Sequence, residues 1–332
     1  MNKKVVVLGG GTGMSTLLKG LKQFPIDITA VVSVCDDGKS TGRLREEFNI
    51  IAVGDIRKVL ISLSETEPLV KDLLNYRFKT TSDLNGHPVG NLLLTALTDI
   101  SGNISDGIES LGKVLNLKGR VLPLTEDNVT LIAEMTNGDV IEGEHNITKD
   151  KGIVKKIYYK EKPIVNPLVI EAIKEADLVI LSMGSLYTSI IPNLLCDDVL
   201  NTLETSNKEI MYICNMVTQP GETDNFKVSD HVNTINKYLG KRNIDVVVAN
   251  NGKIDDEIAQ KYSTEEQKDP VILDKQNISS KIIENDYTII DNKMIRHKID
   301  SLALDIFGYL INNRWHLTKK MLISNWTRKV FF

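Results

Sequence analysis

Residues 5–13 read Val-Val-Val-Leu-Gly-Gly-Gly-Thr-Gly, and Leu17, Leu18 and Leu21 follow at helical spacing. An apolar run that stops at glycines and passes straight into a helix is the start of a buried parallel strand in a nucleotide-binding fold. Glycines let the backbone approach a diphosphate, and the first N–H groups of the helix, at the positive end of its dipole, point at the anion. Gly9, Gly10, Gly11, Thr12 and Gly13 are therefore candidate ligands. The dinucleotide spacing G-x-G-x-x-G is not met, since Gly9 and Gly11 fit but Met14 takes the third place. A nicotinamide enzyme accordingly ranks last, with NAD expected only as an opportunistic occupant of the same cradle.

A second apolar run, Ile28 to Val34, ends in Cys35-Asp36-Asp37-Gly38-Lys39-Ser40-Thr41-Gly42-Arg43-Leu44-Arg45, with Gly54-Asp55-Ile56-Arg57 close behind. Carboxylates at a strand end can accept ribose hydroxyls or hold a magnesium ion, so Asp36 and Asp37 are the candidate metal ligands; Asp37 could equally cap the next helix. Ser40 and Thr41 add hydroxyls beside them. Arg43, Arg45 and Arg57 carry planar forks suited to phosphate, although most arginines are surface ion-pairing residues. His87 is either a general acid or base, or a turn histidine bonded to backbone; Asn91 is either a helix cap or a reader of base or ribose.

Along the chain, apolar strands alternate with helical patterns: strand 4–8, helix 14–23, strand 28–35, and a helix-rich stretch from 55 to 116 with Asp55 as an N-cap and Pro68 at a helix start. Between 119 and 162 the pattern turns β-like, at Arg120–Thr125, Thr130–Met135 and Val140–Glu144, with Asn137-Gly138 as a hairpin turn. Helices at 167–176, 192–205 and 229–239 then alternate with strands at 178–183, 209–214 and 244–249. The reading is an α/β fold: a doubly wound, mostly parallel Rossmann-like sheet covered on both faces, with a small β insertion. In such sheets all strand C-termini lie on one edge. Gly9–Gly13, Cys35–Arg45, Gly184–Ser189, Asn215–Thr223 and Asn250–Gly252 each begin where a strand ends, so they are expected at one crevice. Gly184, Ser185, Asn215, Thr218 and Gln219 join the candidate ligands there, the last three for a neutral base edge.

Composition narrows the classes. With 332 residues, 42% hydrophobic and 25% charged, the chain can bury a large core, read here as one domain over 1–312 with a C-terminal extension over 313–332. A net charge of −4 gives no general pull toward nucleic acid or anionic membrane. Cys35, Cys196 and Cys214 form neither a metal spacing nor a disulfide framework. No apolar run is long enough for a signal peptide or a membrane span, so a cytoplasmic protein is expected, with a homodimer as the default assembly. The extension, with Trp315, Trp326 and several basic residues, reads as a terminal helix packed by its aromatics or as an arm for a partner or membrane surface.

The glycine loop, the Asp-Asp-Gly-Lys-Ser-Thr-Gly-Arg segment and Gly-Asp-Ile-Arg-Lys resemble the YvcK group of the CofD-like superfamily, often labelled gluconeogenesis factors. Asn85–Leu92, Gly184–Leu194 and Cys214–Thr223 match the same pattern in the same order, over about residues 1–312. The resemblance implies a regulatory protein that binds a UDP-sugar such as UDP-N-acetylglucosamine, acts through a protein partner, and is linked to cell shape and growth on gluconeogenic carbon. It places a tyrosine and an arginine at the UDP-sugar, matched by Tyr262 and Arg296. It also leaves open a CofD-type transfer of a phosphate-linked group from a nucleoside diphosphate, with a metal held by Asp36 or Asp37.

Overall fold

The computed structural model describes residues 2–291 and 294–311. Strand β1 (Lys3–Gly9) leads into helix α1 (Gly11–Leu21), then β2 (Ile26–Val32), α2 (Lys39–Phe48), α3 (Val53–Leu63), α4 (Pro68–Asn75), α5 (Val89–Ser101), α6 (Ile104–Val114) and β3 (Arg120–Pro123). Strand β4 (Leu131–Met135), β5 (Val140–Glu142), α7 (Glu144–Lys149) and β6 (Val154–Tyr159) follow. The chain continues through α8 (Pro167–Glu175), β7 (Leu178–Leu181), α9 (Asp197–Ser206), β8 (Glu209–Ile213), α10 (Val228–Asn236), β9 (Val246–Asn250) and α11 (Asp256–Glu265). It closes with β10 (Lys281–Asn285), β11 (Thr288–Asp291), β12 (Met294–His297) and α12 (Ile299–Ile311).

The valines that make β1 strand-like also place it at the centre, because only a strand covered on both faces can bury every side chain of such a run. Val5 to Leu8 are fully buried. The main sheet has seven strands in the order β10-β9-β8-β7-β1-β2-β3, and every pair is parallel. The chain winds outward from β1 through β2 to β3, then returns to the other side of β1 as β7. The direction therefore reverses between β1 and β7, which is where a doubly wound sheet opens its ligand crevice. A three-stranded antiparallel sheet, β5-β4-β6, stands apart from it, with the expected Asn137-Gly138 turn joining β4 to β5.

Four sequence readings are corrected. Arg120–Pro123 pairs with β2 at the edge of the main sheet and does not belong to the small one. Asp55 is not an N-cap: Ala52 occupies that position and Asp55 lies inside the first turn of α3. The helix read over 192–205 is a π turn at Leu186–Ile190, a 3-10 turn at Ile191–Leu194 and only then α9, because Pro192 has no N–H to continue a regular ladder. Arg57, read as a surface ion-pairing residue, is buried, as is Arg45, which the family resemblance turns toward a phosphate-binding role. Residues 313–332, the extension, lie outside the described residues.

The two sides of the crevice are sewn together by glycines. A Cβ on Gly13 would lie 2.0 Å from the Met183 carbonyl oxygen, and one on Gly9 would lie 2.0 Å from Ser182 Oγ. The close helix-to-strand packing that a dinucleotide fingerprint assigns to its third glycine falls here to Gly13, one residue before Met14. Gly11 is needed for another reason, since its φ of +66° is a left-handed conformation. Replacing Gly13 by alanine should cost about 3 kcal/mol in urea denaturation, because a backbone oxygen cannot swing aside. Gly184→Ala, whose Cβ would meet nothing closer than 3.4 Å, should leave stability nearly unchanged.

Candidate functional site

A cavity of about 600 Å³ opens at the reversal point. Gly10, Gly11, Thr12, Gly13, Gly184, Ser185, Asn215, Thr218, Gln219 and Arg296, ten of the residues marked in the sequence, line it together. Three of the five strand-end clusters thus meet as expected. Of the other two, Asn250–Gly252 closes on itself and on Tyr287, and Cys35–Arg45 reaches the glycine loop indirectly, with Asp36 and Thr41 against Gly54 and the neighbouring Asp55 against Gly10 and Gly11.

Helix α1 begins with Gly10 at its N-cap and no side chain capping it. The Gly11 N–H is taken by the buried carboxyl of Asp55, which also pairs with Lys58 at 2.8 Å. The N–H groups of Thr12 and Gly13 have no intrahelical acceptor, as for every helical first turn, and they border the cavity. Amides so placed have the geometry that suits an oxyanion. The same cavity is lined by Arg296, half-exposed with a 3.6 Å contact to Asp291, and by Lys268, paired with Glu266 at 2.6 Å.

Several residues expected to read a base instead hold the wall in shape. Asn215 Oδ1 accepts from the Gly184 N–H at 3.1 Å while its amide donates to the Gly184 carbonyl at 2.7 Å, so both ends of the side chain are spent on one residue. Thr218 Oγ1 accepts the Asp269 N–H at 2.8 Å. Gln219 donates to Glu222 at 2.7 Å, and Ser185 donates to the other oxygen of the same carboxyl at 2.6 Å. Tyr262 is buried behind the cavity, where its hydroxyl accepts the Ile295 N–H at 2.8 Å and fixes β12, the strand that carries Arg296.

The remaining marked residues form a second group. Asp36 caps its own turn, accepting from Gly38 N–H at 2.9 Å and Thr41 Oγ1 at 3.1 Å. Asp37 does not cap α2; it accepts the His145 N–H at 2.7 Å and so latches α7 onto the main fold, bringing Thr148 to the cavity rim. Asn91 is not a cap either, for Pro88 holds that position; its side chain runs to Ser40 Oγ at 3.3 Å and to Arg57 at 3.2 Å. His87 faces Ser40 Oγ at 3.0 Å through Nδ1, and burial with the charges of Arg43 and Arg77 holds its pKa down. Arg43 is exposed. Among the described residues no group of three or more His, Cys, Asp or Glu is placed to hold a metal ion, and the carboxylates of Asp36 and Asp37 already serve N–H and hydroxyl donors.

Sequence reasoning passed over the residues that govern this polar wall. Glu222 is buried beneath Ser185 and Gln219, and burial pushes its pKa up to about 7. Glu144, from the small sheet's helix, is likewise raised to about 7 by burial and then by Asp36 and Asp37. His297, on the cavity wall, faces the Cys214 carbonyl at 3.3 Å and is pushed down to about 4 by burial. Glu222 stood inside a quoted motif, and so did Asp55; nothing local marks Glu144 or Thr148, which arrive through tertiary contact.

The family model described as 2-phospho-L-lactate transferase CofD matches residues 5–293. The chain belongs to the CofD family. Within it the chain is similar to the gluconeogenesis factor of Bacillus subtilis, 43% identical over 311 residues, which cover 91% of this chain and 98% of that protein. The gluconeogenesis factor of Halalkalibacterium halodurans is 40% identical over 306 residues, covering 91% and 94%. A crystal structure of a Bacillus halodurans protein superposes with a TM-score of 0.88 at 39% identity, over 92% of this chain and all of that one. This CofD-family chain thus sits in the YvcK group, as its motifs suggested, and none of its described helices is long and apolar enough to cross a membrane.

The two raised carboxyls give a pH signature. A folded-state pKa above the ordinary 4.5 means that the native protein holds a proton the unfolded chain has released, so the Glu222 contribution to stability falls as pH rises from about 4.5 to 7 and is level above that. Buried His231 and His297, both pushed down to about 4, act in the opposite direction below pH 6.5, so the total curve is flattened. The difference between Glu222→Gln and the parent isolates the group. It should shift in favour of the variant by about 3 kcal/mol between pH 4.5 and 7, measured by denaturation at fixed salt.

Proposed function

We propose that the chain is a nucleotide-sugar-binding regulatory protein that serves gluconeogenic carbon metabolism, with UDP-N-acetylglucosamine or a close relative as ligand and a protein partner as readout. The observation that carries this is the uncapped first turn of α1 opening into a cavity of about 600 Å³ that Arg296 and Lys268 also line. That volume is ordinary for a small-molecule site, and the pairing of helix amides with a guanidinium is suited to a diphosphate. The name gluconeogenesis factor, borne by relatives at 37–43% identity, supports the metabolic assignment.

In this reading the N–H groups of Thr12 and Gly13 take the diphosphate with Arg296, Asn215 keeps Gly184 turned toward the ligand, and Glu222 fixes Ser185 and Gln219. The free carbonyl end of Gln219 and the backbone of Met216–Gln219 face the base. A transferase reading has one observation of its own: Glu144, raised to about 7 beside Thr188 and the acidic pair Asp36 and Asp37, is poised as a general base for a hydroxyl acceptor.

Calorimetry of the intact chain with UDP-N-acetylglucosamine should show saturable binding, and a hundredfold excess over Kd should stabilise the fold by about 2.7 kcal/mol. Arg296→Ala should weaken binding at least about tenfold, the size of one charge-assisted hydrogen bond. Failure of every uridine nucleotide to bind rejects the reading; a new product in mass spectra of diphosphate donors mixed with alcohol acceptors favours the transferase.

A further inference from the structure

Arg57 is a buried cation without an anionic hydrogen-bond partner among the described residues. It is only 5% exposed, its stem lies against Gly90 so closely that a Cβ there would meet Arg57 Cδ at 2.8 Å, and its Nη1 donates to the neutral amide oxygen of Asn91 at 3.2 Å. Its Nε has no hydrogen-bond partner among the described residues. The two nearest carboxylates are committed elsewhere, Asp55 to Lys58 and the Gly11 N–H, Asp36 to Gly38 and Thr41. Arg77 adds a second positive charge close enough to be felt by both Arg57 and His87.

The first turns of two helices meet beside that guanidinium, through its contact with Asn91 and the contact of Asn91 with Ser40. Helix α2 starts at Gly38 and α5 at Pro88, both without a side-chain cap, and their first turns are tied together by the contact of Ser40 with Asn91 and His87. Beyond His87 lies a separate cleft of about 600 Å³, bordered by Arg43 and Asn85 and also by the carboxylates of Glu47 and Asp83; His87 lines it, whereas Arg57, Asn91 and Ser40 stand behind it. None of Arg57, Asn91, Ser40 or His87 lines the glycine-loop cavity.

We propose that Arg57, Asn91 and Ser40 form a second binding site, distinct from the nucleotide cavity, for an oxyanion group of a small molecule, a phosphoryl or a carboxylate. A planar fork, a hydroxyl and an amide beside two uncapped helix starts are the donor set such a group takes, and a buried guanidinium on which Asp55 and Asp36 act only through space, with no described carboxylate hydrogen-bonded to it, is costly until an anion reaches it. The site does not depend on what the glycine loop binds.

The test uses thermal unfolding of the full chain in sodium phosphate, sodium acetate or sodium chloride at equal ionic strength. Phosphate should raise Tm saturably above chloride; a matching rise with acetate assigns a carboxylate, and a rise with phosphate alone assigns a phosphoryl group. Asn91→Asp delivers a carboxylate to Arg57 from within, so it should raise Tm in chloride and abolish the anion response. Ser40→Ala should raise the half-saturating anion concentration about tenfold. The proposal is overturned if neither anion exceeds chloride, if Asn91→Asp lowers Tm or keeps the full response, or if the response disappears in Arg296→Ala while persisting in Asn91→Asp, which would place the ion in the glycine-loop cavity.

Discussion

The contact between Gly13 and the Met183 carbonyl fixes the distance between α1 and the end of β7, and with it the width of the crevice. Because β1 and β7 are hydrogen-bonded neighbours whose following connections diverge, a gap between them is inherent in the winding of the sheet. How wide it opens is decided by the smallest group that can stand there. With Gly9 against Ser182 and Gly13 against Met183, the helix start is drawn down until its free amides border the cavity rather than solvent.

Behind the glycines stands a layer of polar side chains that mostly bind one another. Asp55 holds the Gly11 N–H, Asn215 grips Gly184, and Glu222 gathers Ser185 and Gln219. Such a layer keeps loop backbones in one conformation before any ligand comes, which lowers the ordering cost of binding. It also explains why Glu222 and Glu144 carry raised pKa values: fixing donors in a dry wall requires acceptors there, and desolvation resists their ionisation.

The main sheet was legible because its strands announce themselves. A run buried on both faces, such as Val5–Leu8 or Val246–Ala249, has no polar position to disguise it. The glycine loop, the Gly184 turn and the Asn215 segment were legible as a group because strand ends share an edge. What sequence could not supply was the partner of each side chain. Asp37 resembled a ligand or a cap, and only the arrival of α7 from a sheet more than a hundred residues away makes it a latch. Arg57 resembled a surface residue until Gly90 left space for its stem. Edge strand β3 was grouped with the β insertion because its neighbour, β2, is remote in the chain while β4 is close. Pro192 was in plain view, but its effect on the turn before α9 depends on how the backbone enters from Gly184.

The stitching of Gly9 to Ser182 and Gly13 to Met183 has a temporal side. Synthesis delivers the glycine loop long before the strand it leans on, so a nascent chain that has not reached β7 carries the signature motif without the surface that shapes it. The cavity is consequently complete only once β7 has emerged, and a ribosome-bound fragment ending before β7 holds the loop but not the pocket.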